Sequence, residues 1–313
     1  MSITTSGPVS DETIPIQVRR ANRNKSLLTP GRRAFGVINA IFLTAFALVC
    51  VLPFINVLAS SLATPGELAT SSFILWPRTF TLEAYQYILS TPTIFRALGV
   101  STIVTVGGTL ISLILTSLMA YALSKKHLKG RRLINFLVVF TMLFSGGMIP
   151  TFLVVKNLGL IDSLWSLIIP VAINAFNFVI MRSFFQAIPE SLEESARIDG
   201  CSELGVFWRI VLPLSLASIA TIGLFYAVYY WNTYQSAILY INSSEKWPIQ
   251  ILLRQIVIVA SGMNADETSV DVVPPAQSIR MAVIFIATLP MLVVYPFVQR
   301  FFVKGALIGS VKG

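Results

Sequence analysis

The sequence predicts an all-α membrane protein with six transmembrane helices. Hydrophobic residues make up 55% of its 313 positions and charged residues only 12%, whereas soluble domains have about 45–50% and about 25%. Six windows contain no Asp, Glu, Lys or Arg, and a helix needs roughly 20 apolar residues to cross the hydrocarbon core. These windows are 34–66, 97–124, 133–155, 163–181, 210–244 and 281–299. Buried helices of a large soluble protein are the alternative, and the length of the windows argues against it.

The distribution of basic residues predicts the topology. Cytoplasmic segments of membrane proteins carry an excess of Lys and Arg. With the N-terminus inside, 17 of the 23 Lys and Arg residues fall on inside segments. We therefore predict that both termini are cytoplasmic, and this asymmetry also explains the net charge of +9. We expect no nucleic-acid partner, because the basic residues are not interleaved with aromatic ones on a soluble surface.

The chain divides into a polar, basic N-terminal arm, residues 1–33, and a six-span domain, residues 34–313. We expect the arm to be cytoplasmic and the first span to cover about residues 36–61. A cleaved signal peptide is the alternative, but its apolar region has only about 7–15 residues. The apolar run in this chain is longer and follows a long polar arm, so we predict an uncleaved span.

The other five spans follow in order, separated by alternating inside and outside segments. The basic loop "KKHLKGRR" follows span 2 on the inside, and "KNLGLID" joins spans 3 and 4 on the outside. A charged inside segment separates spans 4 and 5, and the long outside stretch 240–278 separates spans 5 and 6. Spans 2 to 6 cover about 98–122, 134–155, 163–181, 213–237 and 280–300.

The inside segment between spans 4 and 5, about residues 183–213, holds five of the 14 acidic residues and predicts two short helices. Ser191 and Glu194 have the spacing of a capping box, which would begin the first helix at Ser191. Gly200 suits the left-handed conformation that ends a helix. We expect a second helix from about Ser202, with an apolar stripe. The stripe consists of Leu204, Phe207, Ile210 and Val211.

This segment has two interpretations: an interfacial loop with solvated charges, or a docking element for another protein. Acidic residues gain nothing beside the anionic inner leaflet, which repels them. The small residues Ser195, Ala196 and Gly200 would let a partner surface approach closely. These two observations favour docking.

The run "EESARIDGCSELGVFWRIVLPL" resembles the EAA loop of permease subunits in bacterial ABC importers, whose pattern is Glu-Ala-Ala, two residues, Asp-Gly, and then Ile-x-Leu-Pro. The matching positions are Glu194, Ser195, Ala196, Asp199, Gly200, Ile210, Leu212 and Pro213. Ser195 departs from the usual Ala, a change between two small residues. The resemblance implies that these residues, together with Phe207, form a coupling-helix loop that docks on a cytoplasmic ATPase.

Three further stretches look like the carbohydrate branch of that family: "FSGGMIPTFLVVKNLGLIDSLWSLIIP", "YYWNTYQSAI" and "QRFFVKGALIGSVKG". The resemblance implies a multi-pass permease in the bacterial cytoplasmic (inner) membrane, importing an oligosaccharide derived from a complex polysaccharide. The implied partners are a second homologous permease, two cytoplasmic ABC ATPase subunits and an extracellular or periplasmic solute-binding protein. ATP and Mg²⁺ would be used by the ATPase, with no cofactor in this chain.

The sequence contains no energy source of its own. It lacks the G-x-x-x-x-G-K-[ST] phosphate loop, and its six windows hold no Asp, Glu, Lys, Arg or His for a proton relay. A secondary carrier or channel with its own ion coupling stays open, because sodium can be coupled through backbone carbonyls. We expect no enzyme activity and no catalytic or metal-binding residues, since no cluster of His, Cys or carboxylates lies at membrane depth.

Uncharged polar residues in the spans are candidates for a substrate path. Amides suit sugar hydroxyls, and aromatic faces suit sugar C–H surfaces. The candidates are Asn174, Asn177, Tyr230, Asn232 and Tyr234. The alternative is structural, because Tyr belongs to the interfacial aromatic belt and Asn can form hydrogen bonds between helices.

Overall fold

The computed structural model describes residues 30–71, 73–260 and 277–310. Most of the predicted N-terminal arm, part of the predicted outside stretch (residues 261–276) and the last three residues lie outside the described residues. The α-helices are α1 (Pro30–Ser61), α2 (Pro65–Thr70), α3 (Glu83–Ser90), α4 (Pro92–Ser124), α5 (Arg131–Leu143), α6 (Met148–Asn157), α7 (Trp165–Ile168), α8 (Ala175–Gln186), α9 (Glu190–Ile198), α10 (Glu203–Val206), α11 (Leu212–Leu214), α12 (Leu216–Trp231), α13 (Gln235–Tyr240), α14 (Ile249–Ala260) and α15 (Gln277–Ser310).

Helices account for nearly all regular structure in the described residues, so the prediction of an all-α chain is confirmed there. One isolated bridge pairs Ala63 with Phe80. Three continuous helices are long and apolar enough to cross a membrane: Ala34–Ser61, Pro92–Ser124 and Gln277–Phe297. They coincide with predicted spans 1, 2 and 6.

Predicted spans 3 and 4 coincide with bent pairs of helices, and predicted span 5 overlaps mainly the second helix of a third bent pair. The pairs are Arg131–Leu143 with Met148–Asn157, Trp165–Val171 with Ala175–Gln186, and Glu203–Leu214 with Leu216–Trp231, bent by 118°, 53° and 83° respectively. The described residues contain six candidate spans if each pair counts as one and three otherwise. Six spans and the inside location of both termini therefore stay predictions.

Each bend coincides with residues that interrupt a helix. Gly147, between α5 and α6, has a φ of +84°, a conformation that glycine adopts without a steric penalty. Asn174 caps the N-terminus of α8, where its side chain accepts a hydrogen bond from the Asn177 amide at 3.1 Å. Pro213 precedes the break at Ser215, and proline has no N–H to continue a helical ladder.

The centre of the fold is α4, which packs against α12 and α8. Small residues on one face of α4 are buried at spacings of four or seven: Ser101, Gly108, Ser112, Thr116 and Ala120. Small side chains let helix backbones approach closely, which is how helices associate in lipid. The helices approach closely at Gly108, where an added Cβ would lie 2.7 Å from Cζ of Tyr230.

Two tyrosines of α12 supply polar contacts at this interface. The Tyr230 hydroxyl lies 2.8 Å from Ser112 Oγ and donates to the Ile168 carbonyl at 3.4 Å. The Tyr226 hydroxyl lies 2.7 Å from Thr116 Oγ1. Both tyrosines are buried, so these bonds satisfy hydroxyl groups that would otherwise be costly to bury.

Further hydrogen bonds attach α14 and α15 to this centre. The Ile249 amide at the start of α14 donates to Ser101 Oγ of α4 at 2.9 Å. The indole of Trp231, at the end of α12, donates to the Ala287 carbonyl of α15 at 3.0 Å. The C-terminal helix is therefore held to α12 by a specific polar contact as well as by apolar packing.

Asp162 connects the α6–α7 loop to the loop after α13. Its carboxylate accepts from the Asn242 amide at 3.1 Å and from the Ser243 amide at 2.8 Å, and it pairs with Lys246 at 2.7 Å. These contacts hold the pKa of the Asp162 carboxyl well below its usual range, with the Lys246 hydrogen bond as the largest cause. Asp162 also has a φ of +59°, so the residue that fixes the two loops is itself in the left-handed region.

Replacing Gly108 by Ala should destabilise the packing of α4 against α12. The new Cβ would overlap the Tyr230 ring, and overpacking of this kind costs about 1–3 kcal/mol. Gly107→Ala is the matched control, because an added Cβ there meets no atom within 4 Å. We expect thermal unfolding of the purified protein in detergent to show a lower Tm for G108A only. Equal Tm values for the two variants would contradict this account of the interface.

Candidate functional site

The predicted docking segment forms a helix, α9, but that helix does not begin where the sequence predicted. Its N-cap is Pro189, whose side chain makes no capping hydrogen bond. Ser191 lies inside the first turn, and its carbonyl accepts from the Ser195 hydroxyl at 2.9 Å. The prediction of a capping box at Ser191 is therefore wrong. Pro189 fixes its own φ near −59°, and a helix can begin directly after it.

The end of α9 is as predicted. Gly200 has a φ of +84°. The Gly200 amide donates to the Arg197 carbonyl at 3.0 Å, and the Cys201 amide donates to the Ala196 carbonyl at 2.9 Å. These two bonds form a Schellman motif, the common glycine-dependent helix end. Asp199 occupies the C-cap position.

The second helix begins at Ser202, as predicted. Ser202 Oγ accepts from the Gly205 amide at 3.2 Å and caps α10. A π-helical turn, Phe207–Val211, continues from α10 into α11. The segment between α8 and α12 thus consists of α9, a glycine turn and a second, irregular helix.

The second helix turns much of its apolar stripe toward the interior. Phe207 is 1% exposed, and its ring lies 5.1 Å from that of Tyr121 and 6.5 Å from that of Phe185, measured between centroids. Val211 is also buried, and Ile210 and Leu212 pack against the same core. These contacts attach the segment to α4 and α8, whereas Pro213 and Leu204 are exposed.

One face of the segment is exposed and mixes acidic, small and apolar side chains. We call it the docking face, and it consists of Glu194, Ser195, Ile198, Asp199 and Leu204. Of the other motif positions, Gly200 is exposed in the turn and Ala196 is buried on the opposite side of α9. Sequence reasoning missed Ile198, which is 85% exposed. The sequence contained a signal for this exposure. Ile198 follows Glu194 by four positions and Ser195 by three, so in a helix it lies on their face and not on the face of Ala196.

A group of charged residues and one tyrosine lies against the inner side of α9, and we call it the ionic latch: Tyr121, Lys125, Glu193, Arg197 and Glu203. The Lys125 ammonium pairs with Glu193, and their side chains are only 15% and 6% exposed. Arg197 binds Glu203 through two bonds of 2.8 and 3.2 Å. The Tyr121 hydroxyl donates to Glu203 Oε2 at 3.2 Å. The latch connects the end of α4 to both helices of the segment.

An exposed ion pair lies beside the latch. Lys126 contacts Glu190 at 2.8 Å, and this hydrogen bond holds the pKa of the Glu190 carboxyl below its usual value. Both side chains are largely in solvent, where ion pairs contribute little to stability. Sequence reasoning assigned the acidic residues to docking and missed the buried Lys125–Glu193 pair, because the pairing partner is 68 positions away.

The structure distributes the substrate-path candidates between buried and accessible positions. Tyr230 and Asn177 are buried, Asn174 and Asn232 are exposed and Tyr234 is half-buried. Asn174 contacts Tyr226 of α12, because the backbone N–H of Asn174 donates a hydrogen bond to the Tyr226 hydroxyl at 3.0 Å.

Asn232 and Tyr234 lie after the end of α12. The Asn232 amide group donates to the Val228 carbonyl at 2.8 Å. The ring of Tyr234 lies under the guanidinium of Arg254, at 4.4 Å from its centroid, a contact that sequence reasoning did not predict.

Comparisons with known proteins cover most of the chain. The family model described as "Binding-protein-dependent transport system inner membrane component" matches residues 108–307. The chain is 64% identical over 283 residues to the polygalacturonan/rhamnogalacturonan transport system permease protein YtcP of Bacillus subtilis (strain 168), covering 90% of this chain and 99% of that protein. It is 57% identical over 287 residues to protein LplC of the same organism, covering 91% and 97%.

A solved structure is similar as well. It is the crystal structure of a bacterial ABC transporter involved in the import of the acidic polysaccharide alginate. The match has a TM-score of 0.79 and 33% identity, and it covers 88% of this chain and 98% of that chain.

Replacing Lys125 by Met should destabilise the protein strongly. It leaves the buried Glu193 carboxylate with Arg197, 3.6 Å away, as its remaining cation, and breaking a buried pair costs up to about 3–5 kcal/mol. Lys126→Met removes the neighbouring exposed pair and is the matched control. We expect a lower Tm in detergent for K125M and an unchanged Tm for K126M.

The double variant Lys125→Met/Glu193→Met removes both charges of the pair. It tests whether the instability of K125M comes from leaving the Glu193 carboxylate without Lys125. Two apolar side chains of similar volume leave no uncompensated charge, so we expect Tm to recover toward that of the unsubstituted protein. A K125M protein as stable as K126M would show that the pair does not hold the segment.

Proposed function

Because the chain belongs to the family of binding-protein-dependent transport system inner membrane components, we propose that it imports an oligosaccharide with energy from a separate ATPase docked on the segment between α8 and α12. The family consists of permease subunits of ABC importers, which are not enzymes themselves. The observation that carries the proposal is the docking face, an exposed acidic and apolar surface on the motif helix of a chain with no phosphate loop.

The chemistry of the docking face supports binding to a protein. Ile198 and Leu204 are exposed at 85% and 63%, and burying apolar side chains at an interface is favourable by about 25 cal/mol per Å². Glu194 and Asp199 add negative charge beside them, which anionic lipid would repel. Ser195 and Gly200 keep the surface free of large side chains.

The internal contacts of the segment support transmission of force to the spans. The ionic latch holds α9 and α10 to the end of α4, and Phe207 packs in the core beside Tyr121 and Phe185. Since α4 packs directly on α8 and α12, a displacement of α9 would move the centre of the fold. In this proposal Phe207, Ile210 and Leu212 position the segment, and the docking face contacts the ATPase.

We propose an acidic oligosaccharide as the substrate. The relative YtcP is named as a polygalacturonan/rhamnogalacturonan transport system permease, and the similar structure is of an ABC transporter involved in the import of the acidic polysaccharide alginate. Uronic acids carry carboxylates, for which Arg is a geometrically suited partner. Arg254 stacked on Tyr234 offers a cation and an aromatic face close together, and Asn174 and Asn232 are accessible amides. The remaining partners are a second permease, a second copy of the ATPase and a solute-binding protein.

Replacing Ile198 by Asp should weaken association with the ATPase. The change puts a charge at the centre of an interface where apolar contact is expected, and it leaves the buried side of α9 intact. Leu82→Asp is the matched control, because Leu82 is 60% exposed and lies on the predicted outer side. We expect affinity purification from bacterial membranes to recover the ATPase with L82D and to lose most of it with I198D, at equal membrane content of the two chains. Equal recovery would reject the docking assignment.

Uptake into proteoliposomes tests the energy source and the substrate. Vesicles that hold this chain with its permease partner, the ATPase and the solute-binding protein should accumulate a short oligogalacturonide only when ATP is supplied to the ATPase. A neutral oligosaccharide of equal length should be taken up more slowly. Vesicles that hold this chain alone should accumulate neither sugar under a sodium or proton gradient. Accumulation in those vesicles would instead support a secondary carrier with its own ion coupling.

A further inference from the structure

A cleft distinct from the docking face is lined by residues that suit the binding of an anion. It has a volume of about 690 Å³ and lies where the α4–α5 loop meets α8. Four of its seven lining residues are cationic and none is acidic. The lining residues are Lys126, Leu128, Gly130, Arg131, Arg132, Asn135 and Arg182.

The guanidinium groups of Arg131 and Arg182 converge on one neutral acceptor. With its amide oxygen turned toward them, Gln186 accepts from Arg131 Nη2 at 3.0 Å and from Arg182 Nη2 at 3.2 Å. Within the described residues, no carboxylate lies within ion-pair distance of Arg131, Arg132 or Arg182. The buried Nε of Arg182 also has no hydrogen-bond partner in the described part of the chain. Two like charges are thus held together without a counter-charge.

The backbone at the cleft adds further positive potential. Helix α5 begins at Arg131, after Gly130 with a φ of +80°, and both residues line the cleft, so the N-terminus of the helix lies at its edge. The first turn of α5 contains no acidic residue, although acidic side chains are the ones that stabilise this end of a helix. Arg131 and Arg132 stand there instead, and a bound anion would compensate both the helix dipole and the guanidinium charges.

Apolar residues beside the cleft bear on what kind of anion would fit it. Helix α5 leads away from the cleft as part of a candidate span, and its Leu133, Phe136 and Leu137 are more than half exposed. A ligand that lay against both the cationic cleft and the exposed apolar residues of α5 would need a negative head group and apolar chains. We propose that the cleft binds the phosphate of an anionic phospholipid, with its acyl chains along α5. Basic pockets between spans recognise lipid head groups by this combination of charge and depth.

The test compares lipid binding by variants of the cleft in the complete importer complex. Arg131→Gln and Arg182→Gln remove one guanidinium each, and Arg132→Gln is a third variant at the exposed rim in case a more buried substitution prevents folding. Lys129→Gln is the matched control, because it removes a positive charge from the same loop but does not line the cleft. Each purified complex is delipidated and titrated with phosphatidylglycerol, phosphatidylcholine or inorganic phosphate. Retained lipid is counted by native mass spectrometry, and Tm is measured in parallel.

We expect phosphatidylglycerol to be retained and to raise Tm in the unsubstituted complex and in K129Q, and phosphatidylcholine to do neither. Loss of a charge-assisted bond should weaken phosphatidylglycerol binding by about tenfold or more in R131Q and R182Q, and the loss in R132Q should be smaller. Undiminished binding in all three cleft variants, or equal binding of phosphatidylcholine, would overturn the proposal. Stabilisation by millimolar inorganic phosphate equal to that by phosphatidylglycerol would assign the cleft to free phosphate and overturn the lipid assignment.

Discussion

The structure depends on the close packing of α4 against α12 and α8. In an apolar environment there is little hydrophobic driving force between helices, so short backbone distances and hydrogen bonds must hold them together. Gly108 provides the short distance, and the hydroxyl pairs Ser112–Tyr230 and Thr116–Tyr226 provide the bonds. The bent helices and the segment between α8 and α12 are arranged around this unit, so a change in its packing would displace them as well.

The segment between α8 and α12 combines two roles on opposite sides. Its inner side is fixed by aromatic packing of Phe207 and by the buried Lys125–Glu193 pair. Its outer side carries the docking face, where Glu194 and Ile198 are free of internal partners within the described residues. A motif defined by sequence therefore contains both exposed residues and residues packed in the interior, and only the structure separates the two groups.

Sequence alone predicted the helical class and the six apolar windows, because length and absence of charge are local properties. It also predicted the turn at Gly200 and the start of a second helix near Ser202, since both depend on local conformational preferences; it did not identify Ser202 as the cap. It could not predict that Pro189 takes the N-cap from Ser191, nor that three windows are bent. Tyr230 was proposed for a substrate path and is a core hydrogen-bonding residue in the structure, because only tertiary contacts show which polar groups are satisfied internally.

The turn at Gly200 has a mechanical consequence. A left-handed residue closed by two backbone hydrogen bonds has few alternative conformations, and Arg197 and Glu203 form a salt bridge across it. The two short helices are therefore joined by a turn that these bonds constrain, without a flexible linker between them. A displacement of one of these helices would therefore be passed to the other rather than absorbed by the turn between them.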